Sequence, residues 1–277
     1  MIRVADSPAD FERCAEIYNA VEPDRVITAE EIASGNGTSV LHDDGGYAFA
    51  APSSVTGSAF AMVRVHPDAR RRGIGSELLE AVREAARGLS REAVWGRVRD
   101  AESLAFVGRR GFAQVTQEVN VLRELRPGDG EVAAGIAELR DEHLREVYEL
   151  CVETIPEIHV PLPGEAPPYD EWLKKEQHQA SGGFVALDEG AVVGYARLYE
   201  TGLPHRLEHG LTAVCRSHRR RGLATALKRA QIRWASDHGY RELVSDMVEG
   251  NAAMRAVNER LGYRALPPVF IVSGSAS

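Results

Sequence analysis

Residues 63–76 read Val-Arg-Val-His-Pro-Asp-Ala-Arg-Arg-Arg-Gly-Ile-Gly-Ser, and residues 212–225 read Thr-Ala-Val-Cys-Arg-Ser-His-Arg-Arg-Arg-Gly-Leu-Ala-Thr. The two stretches lie 149 positions apart, and Val65, Arg70, Arg71, Arg72 and Gly73 recur as Val214, Arg219, Arg220, Arg221 and Gly222. Each runs from a β-branched segment through the arginines and a glycine into a segment of helical period. Ile74, Leu78, Val82 and Ala85/Ala86 mark the first apolar face, and Leu223, Leu227, Ala230 and Trp234 the second. The glycine lets the backbone turn tightly and lets a ligand approach the main chain. The helix that follows exposes unpaired N–H groups and the positive end of its dipole. Together these make an anion nest suited to a pyrophosphate. The loop has no Gly-Lys-Ser/Thr and no GxGxxG, so it is neither a P-loop nor a dinucleotide fingerprint. A single such turn also reads as a solvated basic patch; two copies in matched contexts favour the nest.

The contexts match over most of the chain. Each half opens with an amphipathic helix, Asp10–Ala20 and Asp141–Val152. Two strands around a glycine turn follow: Ser39–His42 and Tyr47–Ala51, then Gly183–Leu187 and Ala191–Tyr199. After the loop and its helix, a shorter helix ends at Gly111-Phe112 or Gly262-Tyr263, and a β-like run closes the half, Val119–Leu122 or Val269–Val272. Pro and Gly cluster at Arg126-Pro-Gly-Asp-Gly130, which predicts a boundary there. The expected organisation is an N-terminal domain over 1–126, a linker over 127–134 and a C-terminal domain over 135–277. The fold class is α+β, each half a mixed, mostly antiparallel twisted sheet flanked by helices. The second half carries an extra segment, Pro156–Pro168, with five prolines, read either as a loop near a site or as a spacer.

Composition narrows the function classes. The 277 residues are 44% hydrophobic and 27% charged, an ordinary globular balance. A net charge of -8 and a pI near 5.7 argue against a general nucleic-acid binder. No apolar run has the ~20 residues of a membrane span, and Met1–Asp6 puts an acid where a signal peptide would have its apolar core. Cys14, Cys151 and Cys215 form no metal-ligand spacing. A reduced, cytoplasmic setting without a metal is the expectation. Of the 33 basic residues only Lys174, Lys175 and Lys228 are lysines.

Arg70–Gly75 and Arg219–Ala224 resemble the acetyl-CoA pyrophosphate loop of the GNAT N-acetyltransferase family, and the chain resembles two GNAT units in tandem. The resemblance implies acetyl-CoA (coenzyme A) as donor and an acyl transfer to an amine in a ternary complex. It implies that backbone amides around Arg70, Arg71, Arg72, Gly73, Ile74, Gly75 and Ser76, and around Arg219, Arg220, Arg221, Gly222, Leu223, Ala224 and Thr225, hold the pyrophosphate. The strands at Val63 and Val65, and at Thr212 and Val214, would pair with the pantetheine arm as an added strand does. Asn251 resembles the family residue that contacts the CoA arm, with Asp100 in the comparable place; Asn251 also reads as a helix N-cap.

An ammonium group is not a nucleophile, so the reaction needs a base. In histone-acetylating relatives a Glu stands eleven residues before the first loop arginine. That count gives Glu208 in the second half and Ala59 in the first. On a regular strand Glu208 shares a face with Gly210, Thr212 and Val214, and His209 points to the other face unless a bulge intervenes. His209, His205 and His159 are alternative bases. Many relatives protonate the leaving thiolate with a Tyr four residues before the last Gly-aromatic pair; here Asn258 and Val107 occupy those positions. Asn258 donates hydrogen bonds but is not a practical acid. Glu208 and Asn258 make the C-terminal half the expected catalytic one. Glu157 and Tyr169 are candidate acceptor contacts, suited to a small-molecule amine, with Trp172 read as core. Cys215 reads as a small hydrophobe rather than an acyl carrier. The missing tyrosine motivates a second class of function, a non-catalytic acyl-CoA sensor or scaffold.

Overall fold

The computed structural model describes residues 1–53, 55–158, 164–178 and 181–277. The chain forms two compact units, Met1–Gln117 with Val269–Ser277, and Glu118–Pro268.

The first unit contains β1 (Ile2–Val4), α1 (Pro8–Val21), α2 (Ala29–Ala33), β2 (Thr38–His42), β3 (Gly46–Pro52), β4 (Ser58–Val65), α3 (Ile74–Gly88), β5 (Ala93–Val98) and α4 (Ala101–Gly108). β6 (Ala113–Glu124) leads out of it. The second unit contains β7 (Ile136–Glu138), α5 (Leu144–Ile158), α6 (Tyr169–His178), β8 (Ser181–Asp188), β9 (Ala191–Glu200), β10 (Arg206–Val214), α7 (Leu223–Asp237), β11 (Glu242–Val248), α8 (Ala252–Arg260) and the short β12 (Arg264–Ala265); β13 (Val269–Ser275) ends the chain. Local signals account for the starts: Ser7 and Asp10 form a capping box around Pro8 at the head of α1, and Thr28 and Glu31 form another at α2.

In the first unit β1, β2, β3 and β4 pair antiparallel in turn, β4 pairs parallel with β5, and β13 pairs antiparallel with β5. In the second unit β7, β8, β9 and β10 repeat that order, β10 pairs parallel with β11, and the Glu118–Glu124 part of β6 pairs antiparallel with β11. The two closing runs are therefore exchanged relative to the sequence reading. Val119–Leu122 closes the second sheet and Val269–Val272 closes the first. Both are short β-branched runs of the same local character, so local pattern alone does not say which sheet each joins.

Each sheet is covered on both faces. In the first unit α3 packs Leu78 and Val82, both fully buried, against Val40, Ala48 and Ala59, while α1 packs Cys14 and Ile17 against Leu41 and Tyr47. In the second, α7 packs Leu227, Ala230, Ile232 and Ala235 against one face. On the other face α5 and α6 pack Val147, Leu150 and Trp172 against Val185, Tyr195 and Ala213. Full burial of one such leucine is worth roughly 1.5–3 kcal/mol.

Candidate functional site

The two Arg-Gly loops have one conformation. Arg70 and Arg219 are extended, with φ/ψ of -66°/162° and -65°/159°. Arg71 and Arg220 are left-handed at φ 64° and 63°, and so are Gly73 and Gly222 at 88° and 83°. A left-handed conformation costs a non-glycine residue about 1–2 kcal/mol. The same strain at the same place in both units points to a backbone shape held for a purpose. Arg70 Nε donates to the Val65 carbonyl and Arg219 Nε to the Val214 carbonyl, so the first arginine of each loop ties the turn to its strand. The N-cap residues of α3 and α7 are the two glycines, which supply no side-chain acceptor to the first-turn amides.

Ahead of each loop, two parallel strands pair briefly and separate. Among the described residues β4 and β5 pair from Ser58–Ala93 to Phe60–Trp95, and β10 and β11 from Arg206–Glu242 to Glu208–Val244. Beyond that apex neither pairing continues among the described residues, which leaves a gap between β4 and β5 and between β10 and β11 on the loop side. Along β10 past the apex, Thr212 Oγ1 is buried without a hydrogen-bond partner among the described residues. An amide-bearing chain laid along β10, with its anionic end on the nest, suits this arrangement.

The units differ at the apex. β4 keeps unbroken register with β3, from Val65–Gly46 to Ala59–Pro52. β10 carries a bulge: His209 pairs with Leu198, yet Thr212 pairs with Ala196, so one extra residue sits between them. Gly210 makes room for it, because a Cβ there would lie 2.2 Å from the Tyr199 ring. The bulge reverses the pleat. Leu207 and His209 face α7, while Leu211 and Ala213 face α5. Glu208, opposite Tyr199, therefore looks to the α5–α6 face with Leu211 and Ala213, not with Thr212 and Val214 as a regular strand would have it. The extra residue also changes the internal alignment: the last paired residue of β4 is Phe60, so Phe60, not Ala59, stands where Glu208 does.

Beside Glu208 on that face lies a buried ion pair. Glu176 of α6 accepts from Tyr195 Oη at 2.6 Å, from Tyr199 Oη at 3.1 Å and from Arg197 Nη1. Burial and the Glu176 carboxylate push both phenols well above their ordinary values. They are neutral donors that fix the carboxylate.

On the α7 face lies a second buried polar group. Lys228 is 1% exposed; its Nζ donates to Asn258 Oδ1 at 2.9 Å and to Ser245 Oγ at 3.3 Å. Burial pushes its pKa down to about 7, opposed by the Asp246 carboxylate. His209 bridges Gln231 Oε1 at 2.9 Å and the Tyr263 hydroxyl at 2.5 Å, and burial with the Lys228 charge holds it well below its ordinary value, hence neutral.

Two family models match the chain, the GNAT acetyltransferase family model over residues 136–263 and a GNAT acetyltransferase domain model over 22–114. The chain belongs to the GNAT acetyltransferase family. It holds two GNAT domains in tandem. The structure is similar to a GCN5-related N-acetyltransferase from Sphaerobacter thermophilus, with a TM-score of 0.77 and 20% identity over 100% of this chain and 95% of that one. It is equally similar to a tandem GNAT protein of the clavulanic acid biosynthesis pathway, with a TM-score of 0.76 and 20% identity over 100% and 99%. A glucosamine N-acetyltransferase region of a fungal multi-domain β-N-acetylglucosaminidase also shares the fold, with a TM-score of 0.73 and 13% identity over 99% of this chain and 38% of that one. At these identities the likeness is one of fold. No curated protein matches the sequence significantly.

Within the second GNAT domain the residues singled out from sequence fall in different places. Gly222 and Thr225 line a cleft of about 280 Å³ with Ala226, Arg229 and Arg260. Asn251 is the N-cap of α8 and accepts from the Met254 amide at 3.0 Å; Asp100 caps α4 in the same way. Asn258 is buried and bound to Lys228. Glu157 pairs with Arg216 at 2.6 Å and Arg219 at 2.8 Å, which holds its carboxyl below the usual range and brings it to the loop arginines. Tyr169 packs among Tyr148 and Trp172 with Arg145 over its ring, and Trp172 is core. His205 pairs with Glu242 at 3.7 Å, and His159 lies outside the described residues. Reasoning from sequence missed Lys228. Its one signal was a rare lysine set beside Leu227 and in helical phase with Ala224, Ile232 and Ala235.

The first domain keeps the loop and loses the surroundings. Glu77 stands in the first turn of α3, where α7 has no acid, and Glu102 lies 3.3 Å from the Arg71 guanidinium. Arg110 reaches Ser76 Oγ at 2.6 Å over the Phe106 ring, and that ring lies 3.4 Å from where a Cβ on Gly75 would be. A carboxylate at a helix N-terminus competes with any anion for the same field.

Proposed function

We propose that the second domain is an acetyl-CoA-dependent N-acetyltransferase that acts on the primary amine of a small molecule by direct attack in a ternary complex. The observation that carries this reading is the bulge in β10. It sits at the apex of a gap that ends on the left-handed Arg-Gly nest, and it aims Glu208 at the α5–α6 face. The thioester donor supplies an activated acyl group. The amides from Arg220 to Thr225 bind its pyrophosphate, and Thr212–Val214 line its pantetheine arm. Glu208 takes the proton of the attacking amine, in a wall whose other carboxylate, Glu176, is committed to two phenols and an arginine. Glu157 orders the nest by clamping Arg216 and Arg219. The first domain is a scaffold. A soluble, cytoplasmic enzyme without metal, nucleic acid or membrane partner fits this reading; no described helix is long and apolar enough to cross a membrane.

Calorimetric titration of acetyl-CoA into the wild type, Gly222→Asp and Gly73→Asp tests it. Aspartate adds a Cβ at positive φ and a negative charge in the nest. One equivalent in the wild type, abolished by Gly222→Asp and untouched by Gly73→Asp, is expected. A stoichiometry of two places a donor in the first domain as well. No binding overturns the acyl-transfer reading, and binding without thiol release across a panel of primary amines turns it into a sensor.

A further inference from the structure

The buried polar group under α7 has no counterpart in the first domain. The two loops align α7 with α3, which puts Leu79 in the place of Lys228 and Val82 in the place of Gln231. The Gly-aromatic turns put Val107 in the place of Asn258 and Phe112 in the place of Tyr263. The paired strands put Ala61 and Gly96 in the places of His209 and Ser245. The fold is thus built with an apolar core at this spot in one domain and a buried ammonium in the other. Packing does not require the lysine, and a buried, partly compensated charge is costly.

Its position shows what it can serve. Ser245 is the first residue of β11 past the last β10–β11 pair, so the Lys228 ammonium lies at the apex of the gap. Glu208 is at the same level on the opposite face of the sheet. Asn258, where relatives carry a tyrosine, holds the ammonium by its Oδ1. We propose that Lys228 is the proton donor to the leaving thiolate, and that Asn258 is its positioning residue. The proposal rests on the acyl-transfer reading above. The amine lone pair forms the new C–N bond, and the C–S bond breaks with its electron pair left on sulfur. The proton lost by nitrogen goes to Glu208. The sulfur pair takes a proton from Lys228 Nζ, leaving a free thiol and a neutral amine, which regains a proton from water after the product leaves. The facing groups favour this transfer. Tyr263 is a neutral phenol and His209 a neutral imidazole, Asn258 and Ser245 carry no charge, and Asp246 is the carboxylate that supports the ammonium. Arginine, the basic residue this chain otherwise uses almost everywhere, does not release its proton.

The test uses free CoA and desulfo-CoA, which lacks the thiol, with the full-length wild type, Lys228→Met and Lys228→Arg. The ionisation of the bound CoA thiol is followed by thiolate ultraviolet absorbance against pH. In the wild type the thiol and Lys228 titrate as a coupled pair, the thiolate holding the proton on Lys228, so thiolate absorbance is expected to rise roughly 1–3 pH units below free CoA. Lys228→Met should lose that displacement and bind desulfo-CoA as the wild type does. Lys228→Arg should keep the displacement yet lose roughly 10²-fold or more in kcat, with little change in KM for acetyl-CoA. A thiol that titrates alike in the wild type and Lys228→Met, or a Lys228→Arg variant with full kcat, overturns the proposal. If Lys228→Met does not fold, Lys228→Leu/Asn258→Val, the pair the first domain already uses, replaces it. Failure of the wild type to bind CoA overturns the acyl-transfer reading instead.

Discussion

Replacing Lys228 by leucine and Asn258 by valine copies into the second domain the pair that the first domain already buries as Leu79 and Val107. The stability change should be large, and it should depend on pH. The Lys228 pKa falls from its ordinary 10.5 to about 7 because burial penalises the ammonium. At 1.36 kcal/mol per unit this is about 5 kcal/mol of unfavourable free energy in the folded protein. The folded value lies below the unfolded one. Between about pH 7 and 10.5 the unfolded chain therefore holds a proton that the folded chain has lost, and stability rises with pH. Below pH 7 both states are protonated and the penalty is complete. Titration of Lys228 alone should thus favour the double variant by about 5 kcal/mol at pH 6 and about 2 kcal/mol at pH 9, fading toward pH 10.5. Leaving Ser245 Oγ without Lys228 subtracts about 1–3 kcal/mol at every pH. The raised phenols of Tyr195, Tyr199 and Tyr263 act with the opposite slope, but in both proteins, so they cancel in the difference; His209, held low in part by the Lys228 charge, regains some of its pKa in the double variant, an effect confined to the acid end of the range. Urea unfolding followed by tryptophan fluorescence from pH 6 to 10 measures it. A gap that stays constant across that range would refute the depressed pKa, and with it the account of a buried, strained ammonium.

Two further outcomes follow from the apex. Glu208→Gln should lower kcat by about 10²- to 10⁴-fold and remove the acidic limb of the pH–rate profile, with the heat of acetyl-CoA binding preserved; a variant with full rate moves the base elsewhere. Gly210→Ala places a Cβ 2.2 Å from the Tyr199 ring. It should cost about 1–3 kcal/mol by overpacking and reduce turnover more than donor affinity; unchanged thermal unfolding and unchanged rate would show that the bulge does not need glycine.

The parts of the molecule legible in the sequence are those set by short-range geometry. The Arg-Gly loops were readable because a left-handed turn feeding a helix leaves its glycine and its apolar period in a window of fourteen residues, and because the chain states the pattern twice. Asn251 as a cap and Trp172 as core were readable for the same reason. The facing of Glu208 was not. One extra residue in β10 reverses every side chain on one side of it, and the pattern Glu-His-Gly-Leu-Thr allows either phase. Nor was the exchange of closing strands, since Val119–Leu122 and Val269–Val272 are equally good β segments. Lys228 was hidden because its partners come from β11 and α8, far along the chain from α7.

The two domains together argue for where function sits more strongly than either does alone. They share the strained loop, the brief parallel pairing and the helix that follows, so those features belong to the common frame. Every departure at the apex goes one way. The second domain adds a bulge, a half-buried carboxylate on one face and a buried ammonium on the other, the ammonium expensive in a place that the first domain fills with Ala61, Leu79 and Val107. The first domain instead places Glu77 and Glu102 by its own nest. A protein under pressure for stability alone would have no reason to keep the costly version in one copy. The free energy stored around Lys228 is intelligible if the reacting groups, at the moment of transfer, give up a proton to Glu208 on one side of the sheet and receive one from Lys228 on the other.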